Sequence, residues 1–335
     1  MIVAGFDGAI AGFDRKTGDL LWKSMVYQRK GTGETNANPN ATTTTITDKG
    51  ADFGELKQTR AGVVFAEDWS WFYAIDPETG RTFWADHGFE LIVTPESLIA
   101  LTVGENWQHR VDPRTGQQIW QAKPKTHIAA ASTAVVVLAD ESPLFHVRGL
   151  APATGTQLWD VVSPVGQLSR IDIAAAGTDV FLLSDAGSVA ALDARTGAQR
   201  WMSTDLLRPF NEDEYMSQTL AVLASSPDTL YLSDFGGRAI AISTRDGHVL
   251  WQQSVPQGAG LNGFVSDGRL IASGDRRVVA IDAKTGEVLA SRNGDAVAPP
   301  AADGRTVCAI VESTPSRMAG TTSPSAKRLE CMESP

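Results

Sequence analysis

The chain has 335 residues, 42% of them hydrophobic, with a formal net charge of −10 and a pI near 5.0. Such an acidic balance argues against a sequence-independent grip on nucleic acid or on anionic lipid, both of which rest on clustered Lys and Arg. No run of eighteen apolar residues occurs, so the sequence contains no membrane-spanning helix.

In chain order, Ile2–Phe6 and Ala9–Phe13 are apolar runs parted by the turn dipeptide Asp7-Gly8, and Leu20-Leu21-Trp22 follows a second turn. Residues 25–58 show no usable periodicity and are rich in Thr, Asn and Gly around 36–45, which predicts a flexible insertion. Short apolar runs then recur: Val63–Phe65, Leu98–Leu101, Val135–Leu138, Val180–Leu183, Leu230–Leu232 and Leu270–Ala272. Each is followed by a turn with an acidic residue, namely Asp68, Glu105, Asp140, Asp185, Asp234 and Asp275. A ring of carboxylates suggests a cation site, but Asp in a turn is explained by its hydrogen bonds to turn backbone, and no metal is assigned. A long connection, 204–217, contains Asn211-Glu212-Asp213-Glu214-Tyr215, whose charge run suits a solvated loop. Near the end, Val307–Val311 and Arg328–Met332 read as adjacent strands holding Cys308 and Cys331. A cross-strand disulfide between these two would suit an oxidising compartment; two free thiols are the alternative.

One pattern organises all of these pieces. Anchored on Gly18, Gly80, Gly116, Gly155, Gly197, Gly247 and Gly286, it places Asp14, Asp76, Asp112, Ala151, Asp193, Ser243 or Asp282 four residues before the Gly. Four residues after the Gly stand Trp22, Trp84, Trp120, Trp159, Trp201, Trp251 or, in the last copy, Ala290. A period of about 40 residues marks a propeller or solenoid array. In each copy an apolar strand leads into a turn, with Asp accepting turn N–H groups and Gly supplying positive φ. A second strand then carries the Trp. Such a hairpin is too small to stand alone, so the repeated Trp is read as a wedge between neighbouring units, burying ~150–250 Å² each time.

The pattern Ala-x-Asp-x-x-Thr-Gly-x-x-x-Trp resembles the tryptophan-docking repeat of the pyrroloquinoline quinone (PQQ)-like propellers, a family that includes PQQ-dependent dehydrogenases and the envelope protein BamB. The resemblance covers nearly the whole chain. It implies an all-β fold: a single β-propeller domain over residues 1–335, made of four-stranded antiparallel blades. The stretch from Gly286 round to Gly18 is 67 residues, against an average near 41 for the five uninterrupted intervals. That is too long for one blade and short of two by about two strands. Eight blades, the first lacking its innermost strand and the last (297–335) its outermost, therefore fit better than seven. The innermost strand of that closing blade is expected near Pro299–Asp303. The resemblance also implies an extracytoplasmic protein of the cell envelope. Because Met1–Asp7 lacks a basic segment and a sustained apolar stretch, a leader or anchor is expected to have been removed.

The residues point away from catalysis. The dehydrogenases of the family carry two adjacent cysteines beneath a calcium-bound quinone, whereas here the cysteines are 23 positions apart, so no cofactor is expected. The five histidines show no metal-ligand spacing, and no Gly-x-Ser-x-Gly elbow or phosphate loop with its lysine is present. The chain is therefore read as a non-enzymatic, BamB-like scaffold that binds envelope proteins. A degenerate quinoprotein dehydrogenase or other propeller enzyme, and the sensor ectodomain of a receptor or kinase, stand as alternatives. In a propeller the Thr-Gly turns share one face, and the long segments leave from the other. Trp69, Trp71 and Trp107, the three tryptophans outside the repeat, belong to that second face with Glu212, Asp213, Glu214 and Tyr215, and form the candidate binding surface.

Overall fold

The computed structural model describes residues 2–333 apart from 7–8, 15–16, 18, 26–55, 59–61, 69–70, 94–97, 103–107, 123–128, 141–144, 167, 185–186, 207–219, 235–236, 256–261, 275–276, 294–295, 299–305 and 313–326. Every regular element among them is a β-strand. The first sheet has three strands in chain order, β1 (Ile2–Phe6), β2 (Ala9–Phe13) and β3 (Leu20–Met25). A seven-stranded sheet follows, again in chain order: β4 (Leu56–Gln58), β5 (Val64–Asp68), β6 (Trp71–Ile75), β7 (Thr82–Val93), β8 (Leu98–Thr102), β9 (Gln108–Val111) and β10 (Gln118–Ala122).

Four sheets of four strands come next. They are β11 (Ala129–Ala131), β12 (Val136–Asp140), β13 (His146–Leu150) and β14 (Gln157–Val162); then β15 (Leu168–Ala176), β16 (Asp179–Ser184), β17 (Val189–Asp193) and β18 (Gln199–Ser203). The next two are β19 (Ala221–Ser225), β20 (Thr229–Ser233), β21 (Arg238–Ser243) and β22 (Val249–Ser254); then β23 (Asn262–Ser266), β24 (Arg269–Gly274), β25 (Arg277–Asp282) and β26 (Val288–Asn293). The last sheet has three strands, β27 (Ala296–Ala298), β28 (Thr306–Glu312) and β29 (Lys327–Glu333).

Three details differ from the sequence reading. Leu56–Gln58 pairs with β5 as the first strand of its sheet, so the expected insertion stops short of 58. The last sheet opens with Ala296–Ala298, a strand the sequence reading did not single out, and the expected 299–303 lies outside the described residues. The second and third repeats are not separate sheets. The twelve residues of β7 pair with β6 through Thr82–His87 and with β8 through Gly88–Val93, so one strand closes one repeat and opens the next.

By contacts the chain divides into two compact units, residues 1–141 with 148–158, and residues 142–147 with 159–335. In the first, Val63, Phe65, Phe72, Ala74 and Val111 form one core cluster, and Trp120, Val136, Leu138 and Leu150 another. In the second, Phe181, Leu183, Val189, Ala191 and Trp201 of β16–β18 pack with Leu230, Leu232, Ile240 and Ile242 of β20–β21. A further cluster joins Tyr231 and Trp251 to Leu270, Val279 and Ile281. The core thus lies between sheets, and burial follows. Every residue of β20 and β21 is buried, whereas β18 and β22 bury little besides their tryptophan. Inner strands are covered on both faces, which explains their unbroken apolar runs.

Candidate functional site

The repeated turn is a closed hydrogen-bonded unit. Asp112 Oδ1 accepts the N–H of Arg114 (3.0 Å) and Thr115 (2.8 Å) and the Thr115 hydroxyl (3.0 Å), and Thr115 Oγ1 in turn accepts the Gln117 N–H (3.3 Å). The backbone closes it, with Gly116 N–H donating to Asp112 O and Asp112 N–H to Gln117 O, both at 2.9 Å. Asp193 and Asp282 build the same unit. Ala151 has no carboxylate, yet Gly155 N–H still reaches Ala151 O at 2.8 Å, so the backbone carries the turn and Asp reinforces it.

These bonds hold the carboxylates ionised. The Thr115 and Thr285 N–H groups push Asp112 and Asp282 below the usual range, and the Arg200 guanidinium takes Asp193 down to about 2. Asp179, on the other side of Arg200 at 3.0 Å, is instead pushed up by burial.

Six of the turns receive the indole of the preceding repeat. Trp Nε1–H donates to the carbonyl one residue after the Asp position: Trp22 to Pro77 (2.7 Å), Trp84 to Pro113 (3.0 Å), Trp120 to Pro152 (2.8 Å). The second unit repeats it, with Trp159 to Ala194 (2.9 Å), Trp201 to Thr244 (2.7 Å) and Trp251 to Ala283 (3.0 Å). The ring lies flat against the turn glycine. A Cβ on Gly80, Gly116, Gly155, Gly197, Gly247 or Gly286 would stand 2.3 to 2.8 Å from an indole atom, and all six have φ between 69° and 78°. Glycine is therefore required twice over, by backbone conformation and by the space the ring occupies.

The strand that presents the ring is bulged at the same point wherever its register is described. In β3, β7, β10, β18, β22 and β26 the pairing skips the residue before the Trp position, that is Leu21, Phe83, Ile119, Arg200, Leu250 and Leu289. The bulge turns the ring inward and leaves its neighbour outside: Trp120 is 8% exposed and Ile119 48%, Trp251 9% and Leu250 45%. The visible signal for it is two apolar residues in succession, as in Leu21-Trp22 and Leu250-Trp251, where alternation calls for one.

Among the turn carboxylates proposed for a cation ring, the side chain described is Asp234. It is 2% exposed and spent on Arg238, with Oδ1 accepting the Arg238 N–H at 3.0 Å and Oδ2 the Nε–H at 2.8 Å. The same guanidinium donates to Gln252 Oε1 (2.8 Å) and to Leu206 O. This buried pair ties the turn to the outer strand and the exit segment. Among the described residues no group of three or more His, Cys, Asp or Glu is placed to hold a metal.

Of the candidate surface, Trp71 is the first residue of β6, opposite Asp68 in β5 and His87 in β7. Trp69, Trp107, Glu212, Asp213, Glu214 and Tyr215 lie outside the described residues. Cys308 and Cys331 are direct Cα partners across β28 and β29.

Consecutive antiparallel repeats, six of which dock an indole on the glycine turn of the repeat that follows, define an all-β repeat protein of the PQQ-like kind. The chain belongs to the family of the outer membrane protein assembly factor BamB, whose model matches residues 69–289. Its fold is similar to that of BamB from Moraxella catarrhalis, with a TM-score of 0.61 and 16% identity over 92% of this chain and 87% of that one. It is also similar to Saccharomyces cerevisiae Sqt1 (TM-score 0.65, 12% identity, 90% and 88%) and to the computationally designed protein Ika8 (TM-score 0.59, 16% identity, 78% and 81%). Comparison with curated proteins gives no match. Identities this low speak for the fold and leave the role to be argued from the site.

Proposed function

We propose that the protein is a non-enzymatic, extracytoplasmic scaffold of the cell envelope: an eight-bladed propeller that presents one rim to protein partners. The observation that carries this reading is the family match over residues 69–289, joined to a repeat whose polar groups are consumed by its own packing. The order of the sheets supports eight blades. The seven-stranded sheet counts as two blades sharing β7, four more are complete, and the first and last have three strands each.

The topology supports the choice of rim. In a sheet whose strands run in simple up-and-down order, the turn between the second and third strands and the exit from the fourth leave from one end. The Thr-Gly turn leaves from the other. In chain order Trp69 falls between β5 and β6, Trp107 between β8 and β9, and Glu212–Tyr215 between β18 and β19, which supports assigning them to the end opposite the Thr-Gly turns. The acidic run favours a basic partner surface and salt-dependent association.

Photo-crosslinking amino acids placed at 69, 107 and 213, and at Arg114 and Lys284 of the Thr-Gly turns, test this in the living cell. Adducts with envelope proteins from the first set alone are expected. Adducts only from the second set, or from neither, overturn the reading.

A further inference from the structure

The two cysteines of the chain are brought into register. Cys308 and Cys331 face one another in an unbroken ladder of seven antiparallel pairs, from Thr306↔Glu333 to Glu312↔Lys327. Opposed residues of such a ladder share one face of the sheet, with Cα atoms ~4.5 or ~5.5 Å apart depending on the kind of pair. Both separations fall within the ~4.4–6.8 Å that a disulfide spans. A slip of one residue would have put the two on opposite faces.

The sheet that holds them is also the one the docking series does not reach. The preceding repeat ends in Ala290 where the other six have Trp, so no indole is available to fasten β27–β29. The sheet has three strands, one of them three residues long, and fourteen residues separate β28 from β29. A cross-link between the two long strands would supply by covalent closure what the other sheets obtain from a docked ring.

We propose that Cys308 and Cys331 form a disulfide that takes the place of tryptophan docking in the last sheet and makes the order of β28–β29 dependent on redox state. The chemistry is thiol–disulfide exchange with an oxidised dithiol oxidoreductase or glutathione disulfide. One cysteine thiolate attacks the acceptor disulfide and expels a thiolate. The second then displaces the mixed disulfide, so two thiols lose two electrons and two protons, and the acceptor leaves as two thiols. The proposal shares with the scaffold reading only its oxidising compartment, and stands apart from what the rim binds.

The full chain, reduced and then equilibrated in glutathione buffers of graded potential, provides the test. Thiols are counted by alkylation under denaturing conditions, the cross-linked peptide is identified by mass spectrometry, and amide hydrogen exchange is followed in the same samples. The expected result is one intramolecular 308–331 link. On reduction, exchange should rise about a hundredfold in 306–312 and 327–333, the scale of closing a loop of this length, with β16–β22 unchanged. A Cys308→Ser/Cys331→Ser chain should match the reduced protein in both buffers, and the comparison of oxidised with reduced wild type needs no variant. Two alkylatable thiols after oxidation, links only between molecules, or a link that leaves exchange unchanged would each overturn the proposal. Loss of rim crosslinks with the bridge intact would overturn the scaffold reading alone.

Discussion

Gly247→Ala separates the two demands placed on the turn glycine. At φ 74° an alanine bears the left-handed penalty of ~1–2 kcal/mol. Its Cβ would also sit 2.4 Å from Cε3 of Trp201, a ring that is 8% exposed and hydrogen-bonded to Thr244 O at 2.7 Å. The ring has to move, forfeiting a hydrogen bond worth ~1 kcal/mol and part of its burial, within the ~3–5 kcal/mol that deletion of a buried Trp costs. The expected loss is therefore ~3–5 kcal/mol in all. Gly166 supplies the matched control, since its φ is 75° and a Cβ there meets nothing within 4 Å, so Gly166→Ala should cost only the ~1–2 kcal/mol of the backbone. Urea unfolding of both, with Gly247→Ala repeated in a Trp201→Ala background, measures the difference. In that background the cost should fall to the level of the control. Equal losses at Gly247 and Gly166 in the wild-type background would refute the docking argument.

Trp159→Ala should lose ~3–5 kcal/mol of stability in the same assay, whereas Leu158→Ala, just before it and 44% exposed, should stay within ~0.5 kcal/mol. Asp193 has a folded pKa of about 2, depressed from 3.8, so its contribution is present above pH ~4 and lost as pH falls toward 2. Asp193→Asn should flatten the stability profile in that window, as read by thermal midpoints from pH 2 to 5. Arg238→Met should cost ~3–5 kcal/mol by stranding the buried Asp234 carboxylate, and Asp234→Asn in the same chain should recover much of it. A single Arg238→Met that unfolds at the wild-type urea midpoint would show that the pair does not hold the turn.

The repeat was legible because it is imposed by two rigid groups. An indole and the glycine it covers cannot drift in spacing without losing contact, so Trp22 to Trp251 announce both the sheets and their order. The first strands were not legible. Leu56–Gln58, Ala129–Ala131 and Ala296–Ala298 are three residues each, too short to show a period, and are strands only because a longer neighbour offers a ladder. The fusion through β7 was equally silent, since Asp86-His87-Gly88 looks like the end of a repeat and continues as strand. At the candidate site, the pairing of the strands that hold Cys308 and Cys331 could be read from two strand-like runs, whereas their exact register is seen only in the ladder. Trp69, Trp107 and Glu212–Tyr215 lie outside the described residues, and only their place between strands in the chain argues for a rim.

The bulge before each tryptophan position has a consequence for behaviour at high concentration. An outermost strand exposes a row of free N–H and C=O groups on which another molecule can nucleate a growing sheet. A chain with many such edges would be prone to polymerise edge to edge. An extra residue in β3, β7, β10, β18, β22 and β26 breaks the flatness that such growth needs, so the kink that aims the indole inward also blunts the outside. The ladder of β29 is unbroken over all seven pairs, which makes it a flat edge among the outer strands whose register is described, and the first place to look for seeding when the protein aggregates.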